Sequence, residues 1–173
     1  MPVSRIYFDH AATTPVDPRV RDAMLPYLEA SFGNPDSRSH AYGWEAEEAV
    51  AQARERVAAL LGAQPDEVVF TSGATEANNF ALRGLLRGLG ARSGHLVISA
   101  IEHSALLAPA RSLAREGFEL TEVPPDTEGR IDPAAVAGAL RPDTRLVSII
   151  LANNETGVRQ DLASIGEACA ARG

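Results

Sequence analysis

Between Glu67 and Arg172, short runs of β-branched and apolar residues alternate four times with longer helix-forming stretches. EVVF precedes ATEANNFALRGLLRGL, and HLVISA precedes SALLAPARSLARE. FELTEV precedes a segment opened by Asp132-Pro133 and running to about Leu140, and RLVSIILA precedes DLASIGEACAAR. A parallel strand pair needs a crossover of a dozen or more residues, and a helix is its usual form. The alternation therefore predicts an α/β fold with a mainly parallel sheet covered by helices on both faces. LVSIILA is almost wholly apolar, the pattern of a strand buried on both sides.

Before Glu67 the pattern is more helical. IYF at 6–8 predicts a short strand, followed by the polar stretch DHAATTPVD. Asp17-Pro18 reads as an N-cap with proline at the first helical position, and Pro26 is a candidate kink inside the helix that follows. FGNPDSRSHAYG is rich in turn residues and predicts a loop. From Trp44 to Leu61, Val50, Ala53, Val57, Leu60 and Leu61 share one helical face, and Gly62 stands where such a helix would end.

Apolar residues make up 45% and charged residues 23% of the 173, enough for a real core. Acids outnumber bases 23 to 16, for a formal charge of −7, which argues against general nucleic-acid or anionic-membrane binding. No apolar stretch approaches membrane-spanning length, and MPVSRIYFDH lacks a signal-peptide core. Cys169 is the single cysteine, so no disulfide framework exists, and the expected setting is cytoplasmic. Cys169 itself lies in an apolar helical stripe and is expected to pack as a small hydrophobe. All sixteen basic residues are arginine, leaving no side-chain amine for a Schiff base.

In open parallel sheets, ligands bind beyond the carboxyl ends of the strands. Three strand ends here carry polar cargo: TSGATE after VVF, IEHS after LVISA, and NNETG after LVSIILA. Each has a plain structural reading. TSGAT suits an ordinary helix start, His103 a hydrogen-bonded structural histidine, and Asn153-Asn154 a turn. Their recurrence at the same end of successive strands favours a shared site instead. The small-residue turn suits a phosphate, with the Thr75 hydroxyl adding to free helix amides. It is neither GxGxxG nor GxxxxGK[ST], so a dinucleotide or P-loop nucleotide is not indicated. The four histidines show no ligand spacing, so no metal site is expected. A phosphate anchor, an imidazole able to lie against a flat ring and a nearby amide would suit pyridoxal 5′-phosphate (PLP).

DHAATTPVDPRV, FGNPDSRSHAYGWEAEEAV, EVVFTSGATEANN, EHSALL and NNETGV, in this order and spacing, resemble the NifS/IscS-type cysteine desulfurases of the class V aminotransferase superfamily. That family has PLP fold type I, and the likeness runs from about Ile6 to the last residue. It implies removal of sulfur from L-cysteine to leave alanine and an enzyme persulfide, feeding iron–sulfur cluster and thio-cofactor synthesis. It also implies that Ala74 and Thr75 bind the PLP phosphate, and that His103 stacks on the pyridine ring and acts in proton transfer. Asn154 would contact the cofactor's ring oxygen and the substrate carboxylate region. Residues 1–15 would form an N-terminal arm near the active-site mouth, and 16–173 the first part of the PLP-binding large domain. The expected partners are L-cysteine, an iron–sulfur scaffold or other sulfur-acceptor protein, and a second copy in a homodimer.

The chain departs from the family pattern as well. The Schiff-base lysine, the aspartate that pairs with the pyridinium nitrogen and the persulfide-forming cysteine have no counterpart, and Cys169 does not match the last of these. The sheet is accordingly expected to be incomplete at the C-terminus. Two other readings stand beside the desulfurase: a non-catalytic module that binds a desulfurase or its sulfur-transfer partners, and a related class V enzyme such as a selenocysteine lyase.

Overall fold

The computed structural model describes residues 5–172. The chain divides into two compact units, the first ending at Phe70 and the second beginning at Thr71.

The first unit holds two helices, α1 (Pro18–Glu29) and α2 (Ala41–Leu61), and one 3-10 turn at Pro65–Glu67. Asp17 caps α1 by accepting the Arg19 amide, with Pro18 at the first position. Pro26 stays inside the helix rather than ending it. The loop predicted over 32–43 is shorter than expected, because α2 already starts at Ala41. The His40 imidazole accepts the Gly43 amide there and caps the helix. Gly62 closes α2 in the left-handed region, φ 68°, where a side chain would be strained.

Two predicted strands are absent from this unit. Residues 6–8 lie outside any ladder, and so do 68–70, although Val68 has extended backbone. Strand propensity describes a surface that pairs well, and pairing needs a neighbour. The Val68 carbonyl instead accepts from the Arg54 guanidinium at 2.5 Å.

The second unit is the α/β body: α3 (Ala74–Gly88), β1 (His95–Ser99), α4 (Ser104–Arg115), β2 (Glu119–Val123), α5 (Pro133–Ala139), β3 (Thr144–Ser148) and α6 (Leu162–Ala170). The three strands are parallel in the order β2-β1-β3. Alternate residues of β1 feed opposite cores, as the two-residue strand period requires. Leu96 and Ile98 pack with Leu82 and Leu86 of α3 and with Leu106, Ala110 and Leu113 of α4. Val97 packs on the other face with Val136 of α5 and Ile165 of α6, and Cys169 lies against that cluster as a small apolar side chain. Helices thus cover both faces, as the alternation predicts.

β3 is less enclosed than its sequence implies. The ladder stops at Ser148, residues 146–150 are half-buried, and Leu151 is exposed. β3 is an edge strand with one neighbour, whereas β1 has two and is fully buried.

The connections fix where a site can form. After β1 the chain turns into α4 on one face, and after β3 it turns into α6 on the other. β1 and β3 are adjacent, and the chain leaves their C-terminal ends toward opposite faces of the sheet. This is the switch point at which open α/β sheets bind ligands.

Candidate functional site

The loop after β1 carries His103 and the loop after β3 carries Asn153 and Asn154. His103 is the N-cap of α4, its Nδ1 accepting the Ala105 amide at 3.1 Å. With Nδ1 an acceptor, the neutral ring carries its proton on Nε2. The side chain is exposed, so that nitrogen is open to a partner.

The two asparagines behave differently. Asn153 closes the turn: its Oδ1 accepts the amides of Glu155 and Thr156 at 3.0 and 2.9 Å, and its Nδ2 donates to the Ile101 carbonyl. Gly157 completes the turn at φ 73°, a left-handed conformation suited to glycine. Asn154 is exposed, and its side chain makes no hydrogen bond among the described residues. The plain turn reading holds for Asn153, while Asn154 keeps a free amide.

The third element is the start of α3. Gly73 is the N-cap and offers no side-chain cap. Its carbonyl accepts the Ala77 amide, while the amides of Ala74, Thr75 and Glu76 have no acceptor among the described residues. Three free amides at the positive end of a 15-residue helix, with the Thr75 hydroxyl beside them, form a donor set that fits a phosphate.

Thr75 and His103 come together. Both line one depression, with Asn79, Ser104, Ala108 and Ser112 between α3 and α4. Asn154 does not line it. A larger apolar groove of about 760 Å³ lies in the first unit, lined by Val20, Met24, Tyr27, Ala46 and Val50, and it carries none of the predicted polar residues.

Three further residues shape these loops: Glu76 and Glu102, not singled out from the sequence, and Asn153, expected only as part of a turn. The Glu76 carboxylate accepts the Ser72 amide and hydroxyl at 2.6 and 2.7 Å, and these bonds hold its pKa below the usual carboxylate value. Its position, third in the helix, is the usual place for an acid that reaches back to the entering chain. Buried Glu102 accepts from Ser99 and Ile150, and Asn153 ties the two rim loops. The Ile150 partner of Glu102 and the Ile101 partner of Asn153 lie 48 and 52 residues away, beyond any local pattern.

A parallel α/β body with a topological switch point and a phosphate-fitting helix start defines a class of cofactor-binding folds. The chain belongs to the aminotransferase class-V family, which it matches over residues 6–173. Members of that family are PLP-dependent enzymes.

Within the family the chain is similar to cysteine desulfurases. It is 52% identical to human cysteine desulfurase over 172 residues, covering 99% of this chain and 38% of that protein. It is 53% identical to cysteine desulfurase IscS of Vibrio cholerae over 169 residues, covering 96% and 42%. Among solved structures, a NifS-like protein superposes with a TM-score of 0.92 at 37% identity, covering 98% of this chain and 46% of the other. SspA in complex with cysteine superposes with a TM-score of 0.89 at 41% identity, covering 95% and 47%. The chain therefore spans well under half the length of the relatives it matches.

Proposed function

We propose that this chain supplies the phosphate- and ring-binding side of the active site of a PLP-dependent cysteine desulfurase, an enzyme converting L-cysteine to L-alanine with transfer of sulfur to an enzyme cysteine. The observation that carries the reading is the pairing of Thr75 with His103 in one depression, beside three free amides at the start of α3. The amides of Ala74, Thr75 and Glu76 and the Thr75 hydroxyl would hold the cofactor phosphate. His103 would lie against the ring and carry a proton on Nε2, the nitrogen left free by its bond to Ala105. Asn154, with its unpaired amide, would serve the ring oxygen and the substrate carboxylate. Bound there, PLP supplies the electron sink for chemistry at the substrate carbons.

Within the same proposal the working protein is a cytoplasmic homodimer that passes sulfur to an iron–sulfur scaffold or another acceptor. Family membership and the identity to proteins named cysteine desulfurase support the sulfur chemistry of this reading. The solved relative in complex with cysteine supports the choice of substrate. The chain has no lysine, so the covalent anchor for PLP must come from other polypeptide. The test is to pair the chain with the C-terminal portion of a cysteine desulfurase and, with a thiol reductant present to release the persulfide sulfur as sulfide, assay alanine and sulfide from L-cysteine. Equal amounts of both products are expected, and a folded pair that forms neither would overturn the reading.

A further inference from the structure

Glu102 is the only buried acid among the described residues, 8% exposed. Burial pushes its pKa up, opposed by bonds from Ser99 and Ile150. A carboxyl group withdrawn from water is costly unless its hydrogen bonds are made. Both bonds fall on one oxygen: Oε1 accepts from the Ser99 hydroxyl at 2.8 Å and from the Ile150 amide at 2.5 Å.

The position of these donors explains the bond. Ser99 is the last residue of β1, and the chain turns there, with the Glu102 amide donating to the Ser99 carbonyl. Ile150 lies two residues past the end of β3, where β1 no longer runs alongside to accept its amide. The Glu102 side chain takes over that role. A second tie runs the other way, from Asn153 Nδ2 to the Ile101 carbonyl at 3.1 Å. Residues 102 and 153 each immediately precede a residue assigned to the ligand. The loops bearing His103 and Asn154 are thus joined at two points, by side chains rather than by a backbone ladder.

We propose that Glu102 and Asn153 are positioning residues, a clasp that sets His103 and Asn154 relative to each other and so tunes the site for a pyridine ring. This rests on the reading of the rim as a PLP site. The clasp acts on the ring contacts and leaves the phosphate donors of α3 alone, because neither tie touches residues 72–76.

The distinction can be measured in the 173-residue chain with two probes, inorganic phosphate and pyridoxine 5′-phosphate, which carries the ring without an aldehyde. Variants E102A and N153D remove one tie each. N153D keeps the Oδ1 that closes the turn, replaces the Nδ2 donor with an oxygen facing the Ile101 carbonyl and adds a negative charge, so its effect on phosphate alone is the control for that charge. E102Q retains an acceptor oxygen and serves as the rescue.

E102A and N153D are expected to reduce the preference for pyridoxine 5′-phosphate over phosphate by about tenfold, a typical coupling for one shared contact. Phosphate affinity and amide exchange at Leu96 and Ile98 should stay native, and E102Q should keep both the preference and slow exchange at Ile150. Adding H103A to E102A should lower the preference no further. An unchanged preference in E102A overturns the clasp, as does an equal loss for phosphate alone or a collapse of Leu96 and Ile98 protection. A native chain with no preference at all overturns the PLP reading instead. Ile150 exchange then still decides the clasp, which is absent if E102A leaves that amide as protected as native.

Discussion

The Glu76 carboxylate folds back on Ser72, accepting its amide and its hydroxyl on a single oxygen. The turn into α3 is therefore closed by an anion of the chain's own, before any phosphate arrives. Two effects oppose each other at this residue. The bonds pre-shape the turn, while the negative charge repels a second anion at the same helix end.

Substitution separates them. E76Q keeps an acceptor for Ser72 and removes the charge, so phosphate affinity should rise, about twofold to fivefold at low ionic strength. E76A also loses the turn, and affinity should fall below native. Calorimetric titration with inorganic phosphate checks both. The pH sign follows from the lowered pKa of Glu76, caused first by the Ser72 amide and then by its hydroxyl. Its stabilisation is present above the unfolded value near 4.5 and is lost as pH falls through the folded value. Protection of the Ser72 amide, measured against its intrinsic exchange rate, should fall in that acid range in the native chain and show no such step in E76Q.

Thr75 offers a cleaner test of the phosphate cup. T75V preserves shape and removes the hydroxyl, and the exposed position makes the change tolerable to the fold. Hydrogen bonds to charged groups contribute about 1.5–3 kcal/mol, so phosphate affinity should drop by about tenfold or more while thermal stability barely moves. T75S should restore most of the affinity. An unchanged affinity in T75V would remove the hydroxyl from the cup.

The parts of this fold that are legible in the sequence are those set by local chemistry. The caps at Asp17, Asp132 and Asp161, the C-terminal Gly62 and the period-2 split of β1 are all written in neighbouring residues. Residues 6–8 and 68–70 have the right composition for strands yet pair with nothing among the described residues, because a strand is a property of two segments. The same reason leaves LVSIILA half-buried at an edge. At the site, Thr75 and His103 line one depression although VVF forms no strand before Thr75. They meet because α3 packs against α4, a tertiary contact that the strand-end pattern does not contain. Nor does it contain the clasp, since Glu102 and Asn153 find their partners through the tertiary fold. Glu76 had a signal, an acid third in its helix, that was open to reading.

His95 staples the sheet and gives the second unit an acid sensitivity. Its Nδ1 meets the Thr144 hydroxyl at 2.9 Å on β3 and its Nε2 the Thr121 hydroxyl at 2.7 Å on β2, so one ring joins all three strands. It is 1% exposed. Burial lowers its pKa first, then the Arg141 charge, against the opposing pull of Asp143 and Glu119. The unfolded chain therefore takes up the proton before the folded one. Stability should be level above about pH 6.5 and should fall as pH drops through that value, down to the lowered folded pKa. H95F should abolish this slope and cost about 1–3 kcal/mol at neutral pH by stranding the Thr121 hydroxyl. Urea midpoints of both proteins across pH 5–8 would show it, and a parallel slope in H95F would rule the staple out as the cause.

Arg54 does for the first unit what a strand partner would have done. Its guanidinium donates to the Val68 carbonyl and lies over the Phe70 ring, with 4.9 Å from its central carbon to the ring centroid. The side chain is half-buried, and it holds residues 68–70 against α2 without any ladder. Lysine could reach the carbonyl with one donor but has no plane to lay on the ring. A charged hydrogen bond with an exposed cation–π contact is worth about 2 kcal/mol, which corresponds to roughly a tenfold or greater change in local opening. Chymotryptic cleavage after Phe70 should therefore accelerate by about that factor in R54A and by less in R54K. If R54A is cut no faster than the native chain, the segment is held by something other than Arg54.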